Sequence, residues 1–131
     1  GETNLLLGMG SFWEGADFAQ QDKVIEIITR LPFDNPKDPF YQKIESLFSK
    51  QGKSTFDSYS LPMMVLRFKQ AIGRAQRRPE QRSAILLMDN RPLVKSYGKL
   101  FIKEVSQEVT LRHAPFKQIK EDIQEFLEKE C

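Results

Sequence analysis

The spacing of apolar residues along the chain predicts alternating strands and helices. Short apolar runs bounded by glycine, proline or charged residues are typical of buried strands, and they cover residues 4–9, 23–30 and 83–89. Apolar residues at intervals of three and four predict helices, which cover residues 38–50, 61–77, 94–103 and 114 onward. Strands that alternate with helices in this way predict an α/β fold, with a mostly parallel sheet flanked by helices.

The remaining segments and the helix ends are predicted from local signals. Residues 51–59 are expected to form a polar loop, and residues 108–112 a strand or an extended segment. Ser60 is a candidate N-cap for the helix over residues 61–77, which Pro79 would terminate. The first and last helices are each expected to pack an apolar face on the sheet. These faces comprise Phe40, Ile44, Leu47 and Phe48, and Phe116, Ile119, Ile123, Phe126 and Leu127.

Composition narrows the class of protein. The chain has 131 residues, 40% of them hydrophobic, so we expect one folded domain. The net charge is only +2, so any nucleic-acid binding must come from a local basic face. The single cysteine, Cys131, can form no internal disulfide. No signal peptide or transmembrane stretch is apparent, so we expect a cytoplasmic protein without a membrane partner. The abrupt start, without an initiator methionine, is typical of a fragment.

One helical segment carries a candidate anion-binding face. Gln70, Arg74 and Arg77 are spaced i, i+4, i+7 along the predicted helix, so they project from one side. Gly73 leaves room for another surface to approach. Arginine suits phosphate because its guanidinium donates hydrogen bonds in pairs and keeps its charge. The alternative is a solvated basic face with a glycine near the helix end.

A loop after the first predicted strand is the second candidate. Ligands collect beyond the carboxyl ends of strands in open α/β sheets, and residues 10–17 occupy such a position. Glu14 and Asp17 could orient ribose hydroxyls, metal-bound water or a partner arginine. The alternative is a turn that holds a half-buried Trp13 and two solvent-exposed acids.

Taken together, these segments resemble the DinG family of bacterial helicases, in the XPD-like branch of superfamily two. The resemblance covers nearly the whole chain. Residues 8–18 look like motif V of that family and residues 70–77, Gln-Ala-Ile-Gly-Arg-Ala-Gln-Arg, look like motif VI. The blocks at residues 31–39 and 89–99 match as well, in the same order.

The resemblance implies that residues 1–131 are the second, C-terminal RecA-like lobe of a larger helicase, with a three-layer sheet. ATP and Mg²⁺ would be bound mainly by the first RecA-like lobe, and the protein would move on single-stranded DNA in repair or replication. The catalytic residues implied are Arg74 and Arg77. The ATP-binding residues implied are Gln70, Gly73, Asp17 and Glu14. The nucleic-acid-binding residues implied are Ser11, Phe12 and Trp13, although Trp13 also fits a packing role.

Other chemistry is not supported by the sequence. Residues 51–55 resemble the end of a phosphate-binding loop, but position 47 is leucine where that motif needs glycine. His113 has no partner histidine for a metal site, and an iron–sulfur cluster needs four cysteines. We therefore expect no ATP hydrolysis by this chain alone. The alternative function is a non-catalytic nucleic-acid- or protein-binding module, and an exposed sheet edge predicts a tendency to dimerise.

Overall fold

A computed structural model of the protein describes residues 23–77 and 79–129. Within those residues the chain forms two strands, five α-helices and one π-helical turn. In chain order they are β1 (Lys23–Ile28), α1 (Pro39–Lys50), the π-helical turn (Phe56–Ser60), α2 (Leu61–Ala75), β2 (Arg82–Leu87), α3 (Arg91–Val94), α4 (Gly98–Ser106) and α5 (Phe116–Glu128). The strand predicted over residues 4–9 lies outside the described residues.

The two strands pair in parallel, as the sequence predicted. Lys23 lies opposite Arg82 at one end, and Ile28 lies opposite Leu87 at the other. Parallel strands need a long connection, which α1, the π-helical turn and α2 supply here. The arrangement of helices around a small parallel sheet confirms an α/β fold.

Helix α2 covers one face of the sheet and forms most of the core. Its apolar residues recur at intervals of three and four, and they pack against Ile28 of β1. The core residues that α2 contributes are Leu61, Met64, Val65, Phe68, Ala71 and Ile72. Helix α4 adds Phe101 and Val105 to this core, and the ring of Phe101 meets that of Phe68 edge to face at 5.0 Å.

The opposite face of the sheet is largely open. Ile27 in β1 is 58% exposed, and Met88, just after β2, is 50% exposed. Across the described part of the chain, therefore, helices cover one face of a two-stranded sheet.

Helix α1 begins where predicted but does not join the core. Asp38 caps it, because its carboxylate accepts the backbone amide of Phe40 at 2.8 Å. None of its residues is buried, and Phe40 is 64% exposed. The expected packing of this face on the sheet is therefore wrong. Instead, Tyr41 and Phe48 each lie 6.4 Å from the ring of Tyr59 in the π-helical turn.

The segment before α2 differs from the predicted polar loop. The chain is already helical from Phe56, and the π-helical turn continues directly into α2. Ser60 has helical backbone angles and its side chain makes no cap, so its prediction as an N-cap is wrong. Its hydroxyl pairs with that of Tyr41 at 3.0 Å.

Two further segments depart from the predicted elements. The helix expected over residues 94–103 is divided into α3 and α4, because the backbone at Lys95 is extended. Residues 108–112 form no strand. The amides of Glu108 and Val109 bond to the carbonyl of Val105, so the chain turns after α4.

Helix α5 forms as predicted, and it contacts the sheet at the amino-terminal ends of the two strands. Phe126 lies beneath the charged ends of Lys23 and Arg82, the first residues of the two strands, at 5.7 and 5.3 Å. Ile119, Ile123 and Phe126 are half-buried and no residue of α5 is fully buried, so the expected packing of its apolar face on the sheet is confirmed only at Phe126. Among the described residues, no helix has the length and apolar character needed to cross a membrane.

Candidate functional site

Helix α2 presents a groove on the side that faces away from the core. Since its apolar positions are turned inward, polar side chains and glycine are left on the other side. The groove has a volume of about 520 Å³. It is lined by Met63, Leu66, Arg67, Gln70, Gly73, Arg74 and Arg77. The structure therefore brings together all four residues that the sequence predicted in segment 70–77.

Arg74 forms the inner wall of the groove. It lies in the last turn of α2 and is only 7% exposed. A guanidinium does not lose its proton inside a protein, so this wall carries a permanent positive charge. This charge acts on Glu26 of β1. Burial raises the pKa of that carboxyl above its ordinary value, and the charge of Arg74 offsets only part of the rise.

Arg77 is placed differently. The spacing predicted one helical face through residue 77, but α2 ends at Ala75 and the backbone of Gln76 is not helical. Arg77 is exposed, and its backbone amide donates to the side-chain oxygen of Gln81 at 2.7 Å. Gln81 is buried, so it fixes the backbone from which the Arg77 side chain extends.

Gly73 is an open position in the groove. A Cβ built there would meet no heavy atom within 4 Å. Glycine within a helix costs about 1 kcal/mol relative to alanine, and no crowding by residues 23–77 and 79–129 explains that cost. The open position agrees with the predicted approach of another surface.

The second predicted segment cannot be placed beside this groove. Its residues lie outside the described part of the chain, so their roles stay predictions. They are Ser11, Phe12, Trp13, Glu14 and Asp17.

The sequence analysis missed a polar cluster at the carboxyl ends of the strands. Asp89, just after β2, accepts the backbone amide of Leu31 at 2.9 Å. It also accepts the backbone amide of Arg91 at 3.0 Å and the guanidinium of Arg91 at 2.6 Å. Burial would raise the pKa of Asp89, but the hydrogen bonds from Arg91 and Leu31 outweigh it and lower the pKa to about 2. The ionised carboxylate thus joins the ends of both strands.

Aromatic rings extend this cluster. The guanidinium of Arg91 lies 5.3 Å from the ring centre of Phe33, which packs against Phe56 and Tyr97 at 5.8 and 5.7 Å. The signal that could have revealed the cluster is the arginine two positions after an aspartate that ends an apolar strand. At that spacing the turn brings the guanidinium back over the carboxylate.

Arg67 ties the groove to the loop after β1. Its guanidinium donates to the carbonyl of Pro32 at 3.1 Å and to the carboxylate of Asp34 at 2.9 Å. One side chain of α2 therefore fixes the same loop that Asp89 holds at Leu31.

The described residues offer no separate metal site. Within 23–77 and 79–129, no group of three or more histidine, cysteine, aspartate or glutamate side chains could hold an ion. The chemistry of the groove is that of fixed positive charge, an amide and an open backbone position, a set suited to meeting a phosphate.

Comparison with known proteins gives consistent matches. Residues 1–108 match the family described as helicase C-terminal domain. The chain is 40% identical over 98 residues to the 3'-5' exonuclease DinG of Bacillus subtilis, and the matched segment covers 75% of this chain and 10% of that protein. It is 35% identical over 98 residues to the ATP-dependent DNA helicase YoaA of Escherichia coli, covering 75% and 15%. The DinG protein of Staphylococcus aureus is 36% identical over 122 residues, covering 93% and 12%.

These relatives are much longer than the chain, which spans between 10% and 15% of their lengths. No solved structure matches the chain. The family match nevertheless includes most of the chain and the whole of segment 70–77. The chain therefore belongs to the helicase C-terminal domain family, and it is a DinG-like helicase C-terminal region.

Proposed function

We propose that this chain is the second motor lobe of an ATP-dependent DNA helicase, and that it couples ATP hydrolysis to movement along single-stranded DNA. The observation that carries the proposal is the groove on α2, in which an amide, a glycine and two arginines converge. The names of the relatives support it, since YoaA is described as an ATP-dependent DNA helicase.

In this proposal the groove faces the γ-phosphate of an ATP molecule held by the first RecA-like lobe. Negative charge spreads over the phosphoryl oxygens in the transition state, and a guanidinium placed there stabilises it. Arg77 suits this role because it is exposed beyond the end of α2. Arg74 would contribute fixed charge from the inner wall, and Gln70 an amide at the rim.

The open position at Gly73 supports contact with that first lobe. Because no atom of the described residues fills the space, a backbone or a phosphate can approach the helix closely there. The first lobe would also supply the phosphate-binding loop and most of the Mg²⁺ ligands.

We assign the contact with DNA to the segment that precedes the described residues. Asp17 and Glu14 would contact the nucleotide or the arginines of α2, and Ser11, Phe12 and Trp13 would lie nearer the single strand. Aromatic side chains bind single strands by stacking on bases, whatever their sequence.

The complete lobe, residues 1–131, is proposed to be RecA-like, with a three-layer sheet. The exposure of Ile27 and Met88 supports this, because strands of parallel sheets are normally covered on both faces. Further strands or helices would cover that open face in the longer protein. A sheet edge left open in a shortened chain would favour dimerisation.

The test is to measure ATP hydrolysis by the full-length protein and by this chain alone, each with and without single-stranded DNA. We expect DNA-stimulated hydrolysis by the full-length protein and none by the chain, since the groove supplies only half of the site. Hydrolysis by the chain alone would contradict a site shared between two lobes. A full-length protein that binds DNA but never hydrolyses ATP would instead favour the non-catalytic binding module.

A further inference from the structure

Arg67 belongs to the groove on α2, although it lies outside the segment that the sequence predicted. Residues three apart share one side of a helix, so Arg67 faces the same way as Gln70, and both line the groove. It stands one turn nearer to the start of α2 than Gln70. A ligand that shifts this wall of the groove therefore shifts Arg67 with it.

The guanidinium of Arg67 is bound to the loop after β1. It donates to the carbonyl of Pro32 at 3.1 Å and to the carboxylate of Asp34 at 2.9 Å. The side chains of Arg67 and Asp34 are only 20% and 22% exposed. The second oxygen of Asp34, Oδ2, is buried and accepts no hydrogen bond from the described residues. Separating the pair would leave a mostly buried charge without compensation, so α2 and the loop are held together at this point.

The loop after β1, residues 29–38, lies where a ligand of the sheet is expected. It follows the carboxyl end of β1, and ligands of open α/β sheets bind beyond such ends. The carboxylate of Asp89 accepts the amide of Leu31 at 2.9 Å, which joins the loop to the end of β2 as well. Arg30 and Lys37, near the two ends of the loop, are exposed, and cations of this kind suit the phosphates of a nucleic acid.

We propose that the ion pair between Arg67 and Asp34 couples the nucleotide in the groove to single-stranded DNA bound at the carboxyl ends of the strands. The inference rests on the proposed function, and it names the contact through which the two sites act on each other. Asp34 is a positioning residue, since it acts through Arg67 and not on the nucleotide. Such coupling is reciprocal: the factor by which nucleotide changes the affinity for DNA is also the factor by which DNA changes the affinity for nucleotide.

The test measures the affinity of the full-length protein for a fluorescent single-stranded oligonucleotide, with and without a saturating non-hydrolysable ATP analogue. Fluorescence anisotropy gives the two dissociation constants, and the factor between them is the coupling. For the unchanged protein we expect a factor of roughly 5 to 150. Asp34→Asn keeps the shape of the side chain and removes its charge, and it should reduce this factor to less than about two.

Two further variants make the measurement specific. Lys69→Gln removes a neighbouring ion pair of α2, which Lys69 forms with Glu104 of α4 at 3.0 Å, and it should leave the factor unchanged. Arg67→Lys keeps the positive charge but not the forked guanidinium, so the factor should fall part of the way. This variant keeps the test conclusive if Asp34→Asn folds poorly, which urea unfolding would reveal.

The coupling role is overturned if Asp34→Asn and Arg67→Lys both keep the factor of the unchanged protein. It is also overturned if Lys69→Gln lowers the factor as much as Asp34→Asn does, because any loosened attachment of α2 would then have the same effect. A factor near one in the unchanged protein would leave the pair nothing to couple, even where DNA-stimulated ATP hydrolysis supports the function of the groove. If the full-length protein hydrolyses no ATP, the proposed function fails first, and the coupling role fails with it.

Discussion

Arg74 and Arg77 are three positions apart, yet their surroundings differ in kind. Arg74 is buried at the wall of the groove, whereas Arg77 extends from an exposed segment whose backbone Gln81 fixes. A buried charge is costly to move, whereas an exposed side chain is accessible to a second surface. The first therefore suits a fixed wall of the groove, and the second suits a group that reaches a phosphate across a cleft.

Adding one methyl group at Gly73 tests whether another surface approaches α2 at this position. Gly73→Ala should raise the free energy of unfolding of this chain by up to about 1 kcal/mol, since alanine favours the helix and its methyl group meets no atom of the described residues. The same change should slow DNA-stimulated ATP hydrolysis by the full-length protein by roughly tenfold to a hundredfold, because it misplaces the approaching surface. Urea unfolding and steady-state kinetics measure the two effects.

Gly98→Ala is the matched control for stability. A Cβ at Gly98 would overlap the carbonyl oxygen of Pro92, so the free energy of unfolding should fall. If Gly73→Ala leaves hydrolysis at its normal rate, then no other surface approaches the groove at that point.

The spacing of Gln70, Arg74 and Arg77 was enough to predict that they meet in one place. The different burial of the two arginines could not be predicted, because it depends on where α2 ends. Glu26 is one residue within an apolar run, and the run itself predicts only a strand.

At the scale of elements, α2 is held along its length by neighbouring segments. Arg67 bonds to the loop after β1, and Lys69 pairs with Glu104 of α4 at 3.0 Å. Between them, Phe68 meets Phe101 in the core. The groove therefore lies on a helix that cannot shift without disturbing the sheet and α4 together.

The carboxylate of Asp89 gives a test of how the strand ends are joined. The pKa of Asp89 is about 2 in the folded protein and 3.8 for an ordinary aspartate. A carboxyl whose pKa is lowered by folding stabilises the folded state when it is ionised. This stabilisation is fully present when the pH is above the ordinary pKa, and it is lost as the pH falls through the pKa of the folded protein. Asp89→Asn should therefore lower the free energy of unfolding by about 2 kcal/mol at neutral pH.

Between about pH 4 and about pH 2, the Asp89→Asn variant should also lose less stability than the unchanged protein. Urea unfolding across this range measures both effects, and Asp57→Asn, which changes an exposed acid, is the control. Equal acid sensitivity of the Asp89→Asn variant and the unchanged protein would show that the carboxylate does not stabilise the fold in its ionised form.

The elements themselves were predictable where periodicity is long and clear, as in β1, β2, α2 and α5. The division between α3 and α4 was not, because no glycine or proline marks the extended backbone at Lys95. The exposure of Phe40 in α1 was also not predictable, since an apolar helical face does not specify what covers it.

At the scale of the whole molecule, three observations support the proposal that the chain is one part of a larger motor. Its relatives are several times longer, one face of the sheet is open, and the groove offers positive charge without a phosphate-binding loop. Helix α2 connects the loop at the carboxyl end of β1 with the arginines of the groove. In the proposed motor, a change at the nucleotide would reach the rest of the lobe through this helix.

The most direct test of that account is ATP hydrolysis by the full-length protein with Arg77→Ala. Loss of a transition-state charge should lower DNA-stimulated kcat by about a thousandfold or more while ATP binding is kept. Arg112→Ala, which removes an exposed arginine that pairs with Asp122, is the control and should retain normal kcat. Normal hydrolysis by the Arg77→Ala protein would contradict the assignment of this groove to the motor.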